Sequence, residues 1–362
     1  MEKRKKLIRD ILPLIALFAM VAIIASILII KKADGRGGDP EAKEKPFYGF
    51  TYDGNFENYF DTACLAYDYS GMNDEQFARV CRDIESDLKK YHKLFNIYKD
   101  FGEINLAYIN AHAGEGPIEV SEELFDFLEY SVELCELTGG EMNIAMGSVL
   151  KIWHEYREAA EKGPSFLAIP TEAELRAAAE HTDITKLKLS REDLTVELLD
   201  PEMSLDVGAI GKGYAAEKIA DKLASKGISG FVLDFGGNLR AVGEKPSGAG
   251  WKTGIKDPRG DGYIKYLTVK DTSVVTSGDY QRYHFADGVR YHHIIDPDTL
   301  YPAKSFSSVT VITEDSALAD GLSTALFCMS AEEARALISR LSESGVKISA
   351  VLVTGSGEIL EF

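Results

Sequence analysis

Two groups of residues late in the chain are of types that can act on phosphates. In EDSALADGLSTALFCM the apolar spacing predicts a helix, and Asp320 and Thr324 lie four residues apart on it. A carboxylate and a hydroxyl then project from one face, one turn apart. Ala317, Ala319, Gly321 and Ala325 keep that helix surface shallow. Two hard oxygen donors on a thin helix suit Mg²⁺, which keeps several waters and completes its shell with substrate phosphate oxygens. The same pair also fits an ordinary helix with one exposed Asp and a Thr bonded back to its own backbone. Upstream, YHHIIDP sets His292 beside His293. In a strand these neighbours point to opposite faces, so one of the two imidazoles reaches a common site. His is the side chain whose pKa suits a base near neutral pH, and His284 is a further candidate.

Glycine-rich segments precede this region. SLDVGAIGKGYAAEKIADKL (204–223) reads as a strand end, a turn carrying Gly208, Gly211 and Gly213, and a helix. The helix start offers N–H groups to an anion, and Lys212 adds a positive charge. Lys212 is followed by Gly213 rather than Ser or Thr, so this is not a Walker A loop. No strand–helix–strand unit with an acidic end follows, so it is not a dinucleotide fingerprint either. A glycine turn that lets a helix pack tightly is the alternative reading. FVLDFGGNLRAVG (231–243) is a second strand entering a turn, at Gly236-Gly237.

Elements that must position these residues follow from the pattern. NYFDTACLAYDY (58–69) reads as a strand, and Asn73 or Asp74 caps a helix with Phe77, Val80, Cys81, Ile84, Leu88 and Tyr91 on one stripe. Residues 95–110 read as an aromatic-rich loop leading into a short helix, and Ser121–Leu137 as an amphipathic helix stopped by Gly139-Gly140. Thr171–Glu174 and Ser330–Glu333 are capping boxes, the second helix ending at Gly345. SVTVIT (308–313) is a β-branched strand, and ISAVLVTGSGEILEF closes the chain as two strands about a Gly-Ser-Gly turn. Helices and hairpins mix without βαβ alternation, which predicts α+β over a doubly wound sheet.

The chain has 362 residues and a net charge of −18. Residues 1–36 hold eight basic and three acidic side chains, so the remainder carries −23. A domain that acidic is not a general nucleic-acid binder, and a phosphate substrate would need a metal between it and the protein. Basic residues in 1–10 precede an uncharged run over 11–30, closed by Lys31-Lys32. Twenty residues at ~1.5 Å each span the ~30 Å of a bilayer core. The positive-inside rule then predicts an uncleaved, single-pass signal anchor that holds the rest outside the cytoplasm. Residues 31–46 read as a flexible linker, leaving 47–362 as the folded domain. Cys64, Cys81, Cys135 and Cys328 show no C-x-x-C spacing; the last three fall on apolar helix stripes as core thiols, and no disulfide is indicated.

Taken together and in order, DVGAIGKGYA, LDFGGN, TSGDYQRYHF…YHHIIDP and ALADGLSTAL closely resemble the ApbE family of flavin transferases, from about Phe60 to the end. The resemblance implies an ApbE-like mixed fold. It also implies an enzyme that binds FAD as substrate, cleaves its diphosphate with Mg²⁺, and attaches FMN by a phosphoester to a Ser or Thr hydroxyl of an acceptor. That acceptor would be a flavoprotein subunit of an exported or membrane-bound redox system. Residue by residue, it implies a metal site at Asp320, Thr324 and the Ala209 carbonyl. Flavin-nucleotide contacts are implied at Asp206 and Lys212, with Tyr98, Glu141, Met142 and Asn143 lining the flavin site, and His293 as the base toward the acceptor. Met142-Asn143-Ile144-Ala145 and the GGN at Gly236–Asn238 depart from the family's commoner residues. FAD hydrolysis to FMN and AMP, and flavin binding without catalysis, are the alternative functions. Retention of Asp320, Thr324 and His293 argues against the second of these.

Overall fold

The computed structural model describes residues 47–52, 58–161, 163 and 168–362. The expected basic stretch 1–10, membrane span 11–30 and linker 31–46 lie outside the described residues. Among the described residues no helix is long and apolar enough to cross a membrane.

The architecture follows from where the two faces of each strand go. In chain order the strands are β1 (Phe47–Phe50), β2 (Cys64–Asp68), β3 (Ile118–Glu119), β4 (Leu187–Ser190), β5 (Thr195–Leu198), β6 (Phe231–Phe235) and β7 (Asn238–Val242). After these come β8 (Trp251–Lys256), β9 (Tyr263–Val269), β10 (Ser273–Gly278), β11 (Tyr283–Ala286), β12 (Val289–His292), β13 (Phe306–Thr313), β14 (Ile348–Thr354) and β15 (Ile359–Glu361). Eight of them form one sheet in the order β1-β2-β6-β7-β10-β13-β14-β15, antiparallel at every pairing. On β6, Phe231, Leu233 and Phe235 enter the main core while Val232 turns to the opposite face, as the two-residue period of a strand requires.

The helices are α1 (Asp74–Leu94), α2 (Leu106–Ala111), α3 (Glu122–Leu137), α4 (Gly147–Glu161), α5 (Glu172–Ala179), α6 (Gly211–Ser225), α7 (Ser316–Cys328) and α8 (Ala331–Glu343). They pack on the first face, except α4 and α5, which form a separate cluster beside the β11–β12 hairpin. α6 and α7 lie against each other and against β7, β10 and β13. The β8–β9 hairpin covers the second face, where Trp251 and Val269 meet Val232, Ala241 and Val274. Mixed helices with an antiparallel sheet make the α+β arrangement that the lack of βαβ alternation predicts. Capping follows local chemistry: Asn73 with Gln76, Thr171 with Glu174 and Ser330 with Glu333 close reciprocal capping boxes. The four cysteines are free, three of them buried.

Two expectations are corrected: the strand end expected at 204–207 is only an isolated bridge between Ser204 and Met146. Residues 58–69 are not a single strand: Tyr59–Asp61 is a 3₁₀ turn with Phe60 and Asp61 at positive φ, and the strand begins at Cys64. Partners distant in sequence impose the turn, since the Phe60 N–H donates to His92 Nδ1 at 3.2 Å and Arg282 Nη2 donates to the Asp61 carbonyl at 3.2 Å. The turn forms one wall of the cavity described next.

Candidate active site

Between the sheet, α6, α7 and the β11–β12 hairpin lies a cavity of about 650 Å³, within the usual size range of small-molecule and cofactor sites. Every site residue expected from the sequence lines it: Tyr98, Glu141, Met142, Asn143, Asp206, Ala209, Lys212, His293, Asp320 and Thr324. These come from segments more than two hundred residues apart, so convergence here is a property of the fold rather than of any one motif.

Asp320 and Thr324 sit on α7, which Asp315 starts by accepting hydrogen bonds from the Ala317 and Leu318 N–H groups. The Asp320 side chain is buried rather than exposed, which sets aside the reading of an ordinary surface pair. Its Oδ2 accepts a 2.8 Å hydrogen bond from the Gly213 N–H, in the first turn of α6. That contact needs glycine: a Cβ at residue 213 would stand 2.3 Å from the Ser316 carbonyl oxygen and 2.4 Å from Asp320 Cβ. Both sequence readings of the glycine segment therefore meet here. Tight packing and anion binding coincide, but the anion at this helix start is the protein's own carboxylate. The Gly211 and Tyr214 N–H groups are also taken, by the Val207 and Ile210 carbonyls, so these helix-start donors are not free for a ligand. Burial pushes the Asp320 carboxyl above its usual range, opposed by Lys212 and the Gly213 hydrogen bond.

The donor chemistry fits a hard divalent cation. Asp320 carries one carboxylate, and Thr324 and Ala209, which carry a hydroxyl and a backbone carbonyl, line the same cavity. Among the described residues no group of three or more His, Cys, Asp or Glu side chains gathers as a metal site. One carboxylate with neutral oxygens matches Mg²⁺, which leans on water and substrate phosphates, better than an all-protein cage.

Both histidines line the cavity, contrary to the expectation that only one would reach it, because His293 lies just past the end of β12. His292 ends β12 buried, its Nε2 bonded to the Ala303 carbonyl at 2.8 Å and its ring edge-on to Phe327. His293 follows, extends the ladder by donating its N–H to the Arg282 carbonyl, and lines the cavity. Its Nδ1 is buried with no hydrogen-bond partner. Burial, then the charges of Arg282, His292, Arg157 and Lys212, pull its pKa down to about 3, so the imidazole is neutral at physiological pH.

The remaining expected residues form the walls. Tyr98 is exposed and stacks on His154. Met142 is buried, and Asn143 spends its amide on the chain itself, donating to the Thr182 carbonyl at 3.0 Å and accepting from the Ala145 N–H at 2.8 Å. Asp206 accepts from the Gly208 N–H at 2.9 Å, and burial raises its pKa. Glu141 is pushed up to about 7, first by burial and then by Asp298, Asp296 and Glu333; its Oε2 is buried without a partner. Asn238, in the GGN segment, is fully buried and its Oδ1 accepts from Ser316 Oγ at the start of α7.

The ApbE family model matches residues 60–348. The chain belongs to the ApbE family. It is 34% identical over 293 residues to a Treponema pallidum FAD:protein FMN transferase, covering 76% of this chain and 78% of that protein. A solved ApbE protein from Thermotoga maritima superposes with a TM-score of 0.74 at 30% identity, covering 87% of this chain and 96% of that one. The flavin transferase ApbE of Vibrio cholerae gives 0.70 at 26% identity, covering 88% and 97%. The fold is thus an ApbE α+β fold.

The cavity of this ApbE chain also holds two arginines with no sequence motif of their own, and His284, the further candidate base. Arg157 on α4 lines it, as does Arg282, which lies inside the segment TSGDYQRYHF. With Lys212 these cations are close enough to depress His293. His284 lines the same wall, buried, stacked on Tyr291 and with its Nε2 unpartnered. Trp153 closes that end, its indole N–H donating to the Leu300 carbonyl at 2.9 Å.

Proposed function

We propose that this chain is an Mg²⁺-dependent FAD:protein FMN transferase. In this reading it moves the FMN half of FAD to a Ser or Thr hydroxyl of an acceptor flavoprotein and releases AMP. The observation that carries the reading is the convergence of Asp320, Thr324, Ala209, Lys212 and His293 on one cavity in a chain of this family. Tyr98, Glu141, Met142 and Asn143 wall the flavin site, and Asp206 and Lys212 contact the nucleotide. Asp320, Thr324 and the Ala209 carbonyl would hold Mg²⁺, which when bound neutralises the diphosphate and polarises its phosphorus.

The chain's own groups do the rest. Arg157, Arg282 and Lys212 supply positive charge around His293 for a dianionic diphosphate. The acceptor oxygen attacks the phosphorus of the FMN half, the bond to the AMP oxygen breaks, and the hydroxyl proton passes to the His293 imidazole. A group held near 3 is a weak base. Burial is the larger cause of that depression; bound phosphate charge would offset the share due to Arg282, Arg157 and Lys212, so His293 gains some basicity when substrate is present. We place the catalytic domain, 47–362, outside the cytoplasm, on an anchor formed by residues 11–30, where exported or membrane-bound redox subunits would be its acceptors. The basic N-terminus and the uncharged run of 11–30 support this placement.

The test incubates the full chain, extracted in detergent, with FAD, Mg²⁺ and membranes from a source lacking its own transferase. The expected result is a flavin-fluorescent band on denaturing gels that disappears with EDTA, with AMP released in step. Free FMN and AMP without a band would replace transfer by hydrolysis, and bound but uncleaved FAD would leave only a flavin-binding protein.

A further inference from the structure

Lys212 holds a position that its expected role as a nucleotide contact does not explain. Its Nζ lies 3.4 Å from both carboxylate oxygens of Asp320 and 3.4 Å from the Gly208 carbonyl oxygen. Charge-assisted hydrogen bonds to a carboxylate run nearer ~2.8 Å. The ammonium is therefore not locked onto one oxygen; it sits as a cation among three. A carboxylate as buried as Asp320 needs its charge met, and Lys212 is the positive side chain that meets it. Lys212 itself is about a quarter exposed, on a flexible stem open to the cavity, so it can leave without unfolding α6.

We propose that Lys212 is the stand-in counter-ion of Asp320 in the metal-free protein, and that a divalent cation and the Lys212 ammonium exchange at that carboxylate. A doubly charged ion on Asp320 repels an ammonium held a few ångströms away on the same group. Arrival of the ion thus drives Nζ off Asp320 and toward the substrate phosphates, while Gly213 N–H keeps the carboxylate in place. Lys212 is then a positioning residue with two stations. By linkage, the metal and the diphosphate each promote the other's binding through it. The inference rests on Asp320 as the metal ligand. A plain staple between α6 and α7 is the competing account of the same contacts, and it predicts no exchange.

The experiment uses the full chain and Mg²⁺ alone, without FAD. Magnesium affinity is read by calorimetry, and thermal unfolding is recorded with and without the ion, for wild type, Lys212→Met, Lys212→Gln and Asp320→Asn. Exchange predicts that Lys212→Met and Lys212→Gln unfold several degrees lower without metal, regain that loss with Mg²⁺, and bind Mg²⁺ roughly tenfold more tightly than wild type. Equal or weaker binding in both variants would overturn the exchange and leave the staple. Undiminished Mg²⁺ binding by Asp320→Asn would instead overturn the metal assignment, and the exchange with it. A second measurement needs no variant: acetylation of the Lys212 amine in the wild-type chain, read by peptide mass spectrometry, should rise severalfold on adding Mg²⁺. Unchanged or reduced labelling counts against release of the ammonium.

Discussion

Replacing Gly213 with Ala tests how the fold builds the carboxylate seat. The added methyl would stand 2.3 Å from the Ser316 carbonyl oxygen and 2.4 Å from Asp320 Cβ, the first of them a backbone atom that cannot swing aside. Reaching ordinary contact requires α6 and α7 to part by about 1 Å. Overpacking of this kind costs ~3 kcal/mol at the upper end of its usual range. The same shift stretches the 2.8 Å bond from Gly213 N–H to Asp320 past hydrogen-bonding distance, a loss of about 1.5 kcal/mol for a charged acceptor. Ala gains about 1 kcal/mol over Gly in helix propensity, so the net is a destabilisation of about 3.5 kcal/mol. In a domain this size that lowers Tm by roughly 5–10 °C. Gly211→Ala, two residues earlier, is the control, since its methyl would meet Phe95 at 3.5 Å and Val207 at 3.7 Å, ordinary contacts. Thermal unfolding and Mg²⁺-dependent FAD cleavage are the assays. A Gly213→Ala protein as stable as Gly211→Ala, with an unchanged magnesium requirement, would refute the claim that this close approach positions Asp320.

Asp320→Ala should reduce Mg²⁺-dependent FAD cleavage by at least ~10²-fold while near-native circular dichroism is retained; unchanged cleavage would remove Asp320 from the metal site. His293→Ala should bind FAD as the wild type does but transfer FMN roughly 10²–10⁴-fold more slowly, and transfer at the wild-type rate would require another base. Glu141 gives a pH signature whose sign is fixed. Its folded pKa is raised to about 7 from 4.5, so the folded protein holds a proton that the unfolded chain has released. That contribution is complete below about pH 4.5 and is lost as pH rises toward 7. Melting curves of wild type and Glu141→Gln should therefore diverge between pH 5 and 7, the variant losing less stability as pH rises; parallel curves would contradict the shift.

What the sequence makes legible here is what local geometry determines. Asp320 and Thr324 are readable as a pair because residues four apart on a helix share a face, and the capping boxes at Thr171 and Ser330 are readable because each closes within one turn. The strand expected over 58–69 fails for the converse reason. Its left-handed turn at Phe60 and Asp61 is held by His92 and Arg282, and neither is local. Arg157 carries no motif signal at all, being one charge on a helix until α4 is placed against the cavity.

The glycine segment shows why a motif can be recognised while its physical reason stays hidden. From the sequence, Gly211, Lys212 and Gly213 offer two competing explanations, close packing or an anion site at a helix start. The deciding partner, Asp320, lies more than a hundred residues away, so no spacing rule could choose between them. In the folded chain each explanation requires the other. α6 can approach α7 only because residue 213 has no Cβ, and the approach brings a backbone N–H to a carboxylate that would otherwise be buried without it. The Lys212 charge completes the neutralisation from the cavity side. A helix start whose Gly211, Gly213 and Tyr214 N–H groups are already bound within the protein cannot use those donors to cradle a phosphate. The positive charge left facing the cavity comes from side chains, Lys212, Arg157 and Arg282.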